Sequence, residues 1–163
     1  MTSSIPLFRV LFVCTGNTCR SPLAAAALLD ALGEEAARVA VESAGTGAWE
    51  RQPATELSAE VAARDGISIA NHRSRRLTAA MVRDASWVIV MERSHLPAVR
   101  ALGADESRTF VISEWPEPGE AVLTVNDPFG GSREAYEECW RRIRRHIGRL
   151  TPHLREALRA RSA

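Results

Sequence analysis

Four short apolar runs, Arg9–Val13, Val39–Glu42, Trp87–Met91 and Thr109–Ile112, alternate along the chain with stretches rich in Ala, Leu, Arg and Glu. Short β-type runs separated by good helix formers predict parallel strands joined by crossover helices, because a tight hairpin cannot connect parallel neighbours. The helical stretches Pro22–Leu32, Ala54–Asp65 and Arg93–Leu102 run up to Gly33, Gly66 and Gly103, where a residue tolerant of left-handed angles ends a helix well. A last helix carries Tyr136, Trp140, Ile143, Ile147, Leu150 and Leu154 at alternating spacings of four and three, a stripe that packs on the sheet. Pro152 lacks a backbone donor and is expected to kink or end that helix near Gly148–Thr151, leaving a separate turn beyond. The expected fold is α/β: one domain over residues 1–163, with a four-stranded parallel sheet flanked by helices on both faces.

With 163 residues, 45% hydrophobic and 25% charged, the composition is that of a globular chain and not of a disordered or fibrous one. All 21 basic residues are Arg and face 20 acidic ones, a net charge of +1, so bulk attraction to nucleic acid or membrane is not expected. Three cysteines are too few for a disulfide scaffold, and Phe8–Val13 is too short for a signal core or a membrane span. The expectation is a cytoplasmic monomer. Glu114–Gly119 reads as a Pro-rich loop.

The segment Val13-Cys14-Thr15-Gly16-Asn17-Thr18-Cys19-Arg20-Ser21-Pro22 follows the first strand and enters the first helix. Ser21 suits the cap and Pro22 the first helical position. A loop at that junction aims backbone N–H groups and the positive helix end at one point, a natural phosphate site, and Gly16 and Asn17 tolerate the left-handed angles such a nest uses. Thr15, Gly16, Asn17, Thr18, Cys19, Arg20 and Ser21 are therefore the candidate phosphate-binding residues. Arg20 offers a planar fork for two phosphate oxygens. Cys14 stands at the strand end, where the helix end and Arg20 are expected to lower its pKa and make it a nucleophile near neutrality.

Other uses of the loop fit less well. A zinc site needs about four donors, and no second Cys or His pair accompanies Cys14 and Cys19, so no metal and no cofactor are expected. A nucleotide-binding Gly-Lys-Ser/Thr loop requires a lysine that the chain lacks. An inert buried thiol leaves the joint arrival of Gly-Asn, Arg and a helix start unexplained.

The Cys-x-x-x-x-x-Arg-Ser pattern with Gly-Asn inside it resembles the low-molecular-weight protein tyrosine phosphatases. Ser43-Ala44-Gly45-Thr46, His72, Val88-Ile89-Val90-Met91 and Asp127-Pro128 resemble further blocks of that family, so the likeness runs over nearly the whole chain. It implies a four-stranded parallel sheet, attack of Cys14 on phosphorus and phosphoryl binding by Arg20 and the loop amides. It also implies a bond from Ser21 to the thiolate and support of a strained Asn17 by Ser43 and His72. Cys-Thr-Gly-Asn-Thr-Cys-Arg-Ser and Asp-Pro-Phe-Gly-Gly-Ser look more like the bacterial protein-arginine phosphatase branch. Phosphorylated proteins, bearing phosphoarginine or phosphotyrosine, are the implied substrates.

Displacement by a thiolate needs a proton donor for the leaving group, and Asp127 in Asn126-Asp127-Pro128-Phe129-Gly130-Gly131 is the candidate, with a second role in activating water. Thr18, Trp49 and Phe129 are the candidate specificity residues: a Thr18 hydroxyl suits a guanidine, Phe129 can stack on phenol or guanidinium alike, and the resemblance implies that Trp49 forms a pocket wall. A thiol-dependent arsenate reductase on the same fold is the alternative, although it would need relay cysteines and none lies between Cys19 and Cys139. Cys19 can serve as a resolving thiol for an oxidised Cys14 or can simply fill space beneath the loop. Glu92, Ser94 and His95 depart from the family pattern and receive no role. Arg141, Arg142, Arg144, Arg145 and Arg149 read as a solvated helix face.

Overall fold

The first strand, β1 (Phe8–Cys14), lies in the middle of a parallel sheet between β2 (Val39–Gly45) and β3 (Trp87–Val90), with β4 (Thr109–Val111) outside β3. The computed structural model describes residues 7–116 and 124–162. Helices α1 (Arg20–Leu32), α2 (Glu56–Arg64), α3 (Ala79–Asp84), α4 (Leu96–Ala101) and α5 (Arg133–Ser162) supply the connections and the cover. Alternation along β1 sorts its side chains. Phe8, Val10, Phe12 and Cys14 join the core beneath α1, α2 and α5, while Leu11 and Val13 join the core on the α3–α4 face. Both faces are therefore buried, as a parallel sheet requires.

The register pairs Cys14 with Gly45 and Val13 with Val90, so β1, β2 and β3 end together, and the loops leaving their carboxyl ends meet above one edge. That edge is where open parallel sheets place ligands. Gly33, Gly66 and Gly103 hold φ of 56°, 76° and 93°, as expected of helix ends.

Four details depart from expectation. α5 runs unbroken through Pro152. Leu154 and Leu158 continue its buried stripe, the Thr151 hydroxyl donates to the Ile147 carbonyl at 2.6 Å, and Arg155 pairs with Glu35 at 2.6 Å. Gly148, whose carbonyl the proline ring would crowd, is exposed and has no neighbour near its Cβ direction. Burial on both sides of the proline thus outweighs one lost helix bond. Second, α1 begins at Arg20, so Ser21 lies inside the helix and does not cap it, and Pro22 is the third helical residue and not the first. Third, Arg93–Leu102 divides into a 3-10 turn, Arg93–His95, and α4. Fourth, α3 carried no apolar stripe long enough to predict it, although Thr78 caps it by accepting from the Met81 amide at 3.2 Å.

Residues 117–119 of the expected loop Glu114–Gly119 lie outside the described ones. Among the described residues, no helix is long and apolar enough to cross a membrane.

Candidate active site

Cys14 is the last residue of β1, and the chain then curls over it into α1. Its Sγ lies 2.9 Å from Ser21 Oγ and accepts the Asn17 N–H at 3.2 Å. Asn17 Nδ2 donates to Ser21 Oγ at 2.8 Å and to Ser43 Oγ at 2.9 Å, its Oδ1 accepts the Arg75 N–H at 2.9 Å, and His72 Nε2 donates to its carbonyl at 2.6 Å. Asn17 is wholly buried at φ 56°, a left-handed conformation that these contacts hold from every side. Gly16 does not share it. The expectation that both residues use left-handed angles is corrected to Asn17 alone, because only its side chain is bonded into the frame.

The amides of Gly16, Thr18 and Cys19 find no protein acceptor among the described residues, while that of Asn17 points at the sulfur. With the start of α1 behind them, they form a concave set of donors suited to an anion. The end of β2 must approach this loop closely. A Cβ on Gly45 would stand 2.4 Å from the Thr15 carbonyl oxygen and 3.0 Å from the Asn17 nitrogen, so only glycine fits.

Burial pushes the Cys14 thiol up from its ordinary value, against the opposing pull of the Ser21 hydroxyl and amide, of Arg20 and of the Asn17 amide. This corrects the depressed value expected from the helix end and Arg20. Cys14 sits at the floor of the loop, 2% exposed, and its sulfur loses the water that would solvate its charge. Ser21 does not cap the helix but, as the resemblance implied, lies against the sulfur, where its hydroxyl supplies the strongest contact favouring the thiolate.

Arg20 is itself buried. Its guanidinium donates from Nη1 to Glu92 Oε1 at 2.7 Å and to the Val125 carbonyl at 3.1 Å, and Nη2 approaches Asp127 Oδ2 at 3.8 Å. Asp127 is about half exposed, and its Oδ1 accepts the Phe129 N–H at 3.1 Å in a tight Asp-Pro turn. Gly131 allows that turn: a Cβ there would stand 2.9 Å from the Pro128 carbonyl oxygen. Beyond Glu92 the chain of contacts continues. His95 Nδ1 accepts the Glu92 N–H at 3.2 Å, which leaves the proton on Nε2, 3.0 Å from Thr15 Oγ1. Burial lowers the His95 imidazole, aided by Arg20.

Cys14, Arg20 and Asp127 converge on one cavity of about 700 Å³, walled by Thr18, Gln52, Pro53, Thr55 and Glu56 and flanked by the exposed rings of Trp49 and Phe129. Cys19 also lines it, with its Sγ 3.4 Å from Thr55 Oγ1 and 3.6 Å from the Tyr136 hydroxyl. Of the residues singled out from sequence, Ser43 and His72 meet Asn17 behind the loop, and Thr18, Trp49 and Phe129 stand at the cavity wall. Sequence reasoning assigned no role to Glu92, His95, Ser74 or Arg75. The Glu-x-x-His spacing just after β3 is a turn-capping signal that could have drawn attention to the first two.

The model of the family described as "Low molecular weight phosphotyrosine protein phosphatase" matches residues 9–160. The chain belongs to that family. The low molecular weight protein-tyrosine-phosphatase Etp of Escherichia coli is 34% identical over 137 residues, covering 83% of this chain and 87% of Etp. The tyrosine phosphatase AmsI of Erwinia amylovora superposes with a TM-score of 0.80 at 28% identity, over 94% of this chain and 97% of its own. The YwlE arginine phosphatase of Geobacillus stearothermophilus gives 0.77 at 32% identity, over 92% and 94%.

Proposed function

We propose that residues 1–163 form one phosphatase unit, a cytoplasmic monomer acting on phosphorylated protein side chains, phosphoarginine or phosphotyrosine, without metal, cofactor or nucleic acid. The single observation that carries this reading is the placement of Cys14 Sγ beneath a concave row of free loop amides, with Ser21 Oγ at 2.9 Å and the Arg20 guanidinium alongside. Donors fixed around the point where phosphoryl oxygens gather charge are the main device available to a transfer that needs little other help.

The ionised Cys14 sulfur attacks phosphorus, the S–P bond forms, and the bond from phosphorus to the leaving oxygen or nitrogen breaks. Arg20 and the loop amides hold the three equatorial oxygens. Asp127, beside Arg20 and at the cavity wall, gives its proton to the leaving group. Water then attacks the phosphocysteine and passes a proton to Asp127, the S–P bond breaks, and inorganic phosphate and the Cys14 thiolate are released. Glu92 holds Arg20 from behind, so the buried cation is already paired before a phosphate arrives.

Trp49 and Phe129 accept either a phenol ring or a guanidinium plane, and the Thr18 hydroxyl at the wall favours a leaving group with N–H donors. A thiol relay of the arsenate reductase kind is less well supported, because Cys139 is buried in α5 and its thiol is pushed up to about 12. The test is turnover of nitrophenyl phosphate and of phosphotyrosine and phosphoarginine peptides, with arsenate reduction run alongside. Cys14→Ser is expected to abolish hydrolysis, and hydrolysis near the wild-type rate in that variant would overturn the reading.

A further inference from the structure

Among the described residues, two that are not glycine have a positive φ: Asn17 at 56° and Arg51 at 63°. They belong to different parts of the site, the anion loop and the wall that bears Trp49, yet the same segment, His72–Arg76, clamps both. His72 and the Arg75 amide hold Asn17, as described above. Ser74 holds the wall. Its N–H donates to the Gln52 carbonyl at 2.8 Å, its carbonyl accepts the Arg51 N–H at 2.7 Å, and its hydroxyl accepts the Gln52 N–H at 2.8 Å while donating to the Trp49 carbonyl. Just beyond, Glu50 Oε1 accepts the Arg76 N–H at 2.8 Å.

Ser74 is 2% exposed, and its hydroxyl is used both as donor and as acceptor. A left-handed arginine persists only where the surroundings over-determine it, and here the contacts to Trp49, Arg51 and Gln52 described above come from this one residue, with Arg76 holding Glu50. The segment is in turn fixed to the sheet, through Gly45 N–H to the Arg75 carbonyl at 3.0 Å and Leu77 N–H to the Gly45 carbonyl at 2.9 Å. A short splint beside β2 therefore sets two loops relative to one another. Trp49 packs on little else, being 82% exposed, so its backbone is what places its ring over the cavity.

We propose that Ser74 is a positioning residue for substrate side chains, acting through the Trp49 wall and not on the phosphoryl group. The proposal rests on the phosphatase reading above for its kinetic part only. Losing the hydroxyl frees one carbonyl and one amide at the base of the wall, which costs order in the wall and leaves the Asn17 contacts of His72 and Arg75 in place.

Ser74→Ala is expected to raise KM for phosphopeptides by about fivefold to tenfold, with kcat and the inhibition constant of inorganic phosphate within twofold of wild type. In a Trp49→Ala background the same substitution should add less than twofold. Glu50→Ala, at an exposed position where folding is safe, should raise KM about twofold in the same pattern. The anisotropy of Trp49 emission, read as the difference between each protein and its Trp49→Phe counterpart, should fall in Ser74→Ala. That measurement needs no turnover, so a wild type that hydrolyses no phosphopeptide would sink the phosphatase reading and leave Ser74 to be judged by anisotropy. Unchanged KM in both variants, an undiminished effect without Trp49, a parallel loss in kcat and phosphate binding, or unchanged anisotropy would each overturn the proposal.

Discussion

Arg20 Nη1 stands 2.7 Å from Glu92 Oε1, joining the start of α1 to the turn after β3 through a guanidinium side chain that is 2% exposed and a carboxylate side chain that is 31% exposed. Burial pushes the Glu92 carboxyl up, but the hydrogen bond and charge of Arg20, with His95, outweigh it and hold the group below its ordinary value. Glu92→Ala would leave a buried cation with only the Val125 carbonyl and a distant Asp127. The expected cost is about 1–3 kcal/mol, less than for a fully enclosed pair because Glu92 touches solvent. Phosphate, by supplying a new counter-charge, should raise the melting temperature of the variant more than that of wild type. Equal stabilisation of both proteins by phosphate would show that Arg20 does not face the anion.

Ser21 tests the balance at the sulfur. Its hydroxyl is the strongest of the contacts that draw the Cys14 thiol down against burial. Ser21→Ala should push the thiol higher still, leave less thiolate near neutrality, and lower kcat by roughly tenfold to a hundredfold, the worth of one bond to a charged group. The rate of alkylation by iodoacetamide at pH 7 should fall with it. Alkylation at the wild-type rate would mean that the hydroxyl does not stabilise the ionised sulfur.

Gly45 carries the close approach of β2 to the loop. Adding one methyl group sets it against the Thr15 carbonyl and the Asn17 nitrogen, neither of which can rotate away. Gly45→Ala is expected to cost about 1–3 kcal/mol and to widen the loop, so that activity falls further than stability alone explains. Gly16→Ala, whose Cβ would meet only Thr18 Oγ1 at 3.6 Å, is the control and should fold normally. Matching melting temperatures for the two variants would refute the packing argument.

The fold and much of the site were legible because their signals are local. Four β-type runs and three glycine stops each lie within a dozen or so residues, the apolar stripe lies within one helix, and Cys14, Arg20 and Ser21 lie in one short stretch from the end of β1 into α1. Longer-range balances were not legible. The rise in the Cys14 pKa depends on how deeply the loop covers the sulfur, and the continuity of α5 depends on Leu154 and Leu158 finding the core beyond Pro152. Glu92 and Ser74 were missed for a related reason. Each is an ordinary polar residue until the sheet register sets its loop beside Arg20 or Trp49, and no spacing within its own segment records that neighbour.

Acid should loosen the site before it unfolds the core. Burial holds the imidazole of His72 below its ordinary value of 6.5, with Arg73 and Arg75 adding to the effect and the Asn17 carbonyl opposing it. His95 is lowered likewise by burial and Arg20, against Glu92 and Asp127. For both groups the unfolded chain takes up protons that the folded chain does not. The stability they contribute is therefore complete above about pH 6.5 and is lost as pH falls through their lowered folded-state values. Urea midpoints should drop between pH 7 and 5.5 in wild type and drop less in the His72→Gln, His95→Gln double variant. An identical pH dependence in the two proteins would remove these histidines from the account.

Asp127 separates chemistry from charge. Its carboxylate lies 3.8 Å from Arg20 Nη2, so it could serve only as a counter-charge, or it could also pass a proton to the leaving group. The two roles respond differently to the substrate. An activated nitrophenolate departs without protonation, whereas a tyrosine phenolate or an arginine guanidine does not, so only a proton donor makes the loss depend on the leaving group. Asp127→Asn should slow formation of the phosphocysteine from a phosphopeptide by about 10²- to 10⁴-fold and from nitrophenyl phosphate far less. Single-turnover measurements isolate that step from later hydrolysis, which Asp127 would also assist. The same factor for both substrates would reduce Asp127 to an electrostatic partner of Arg20 and require the proton to come from another group or from water.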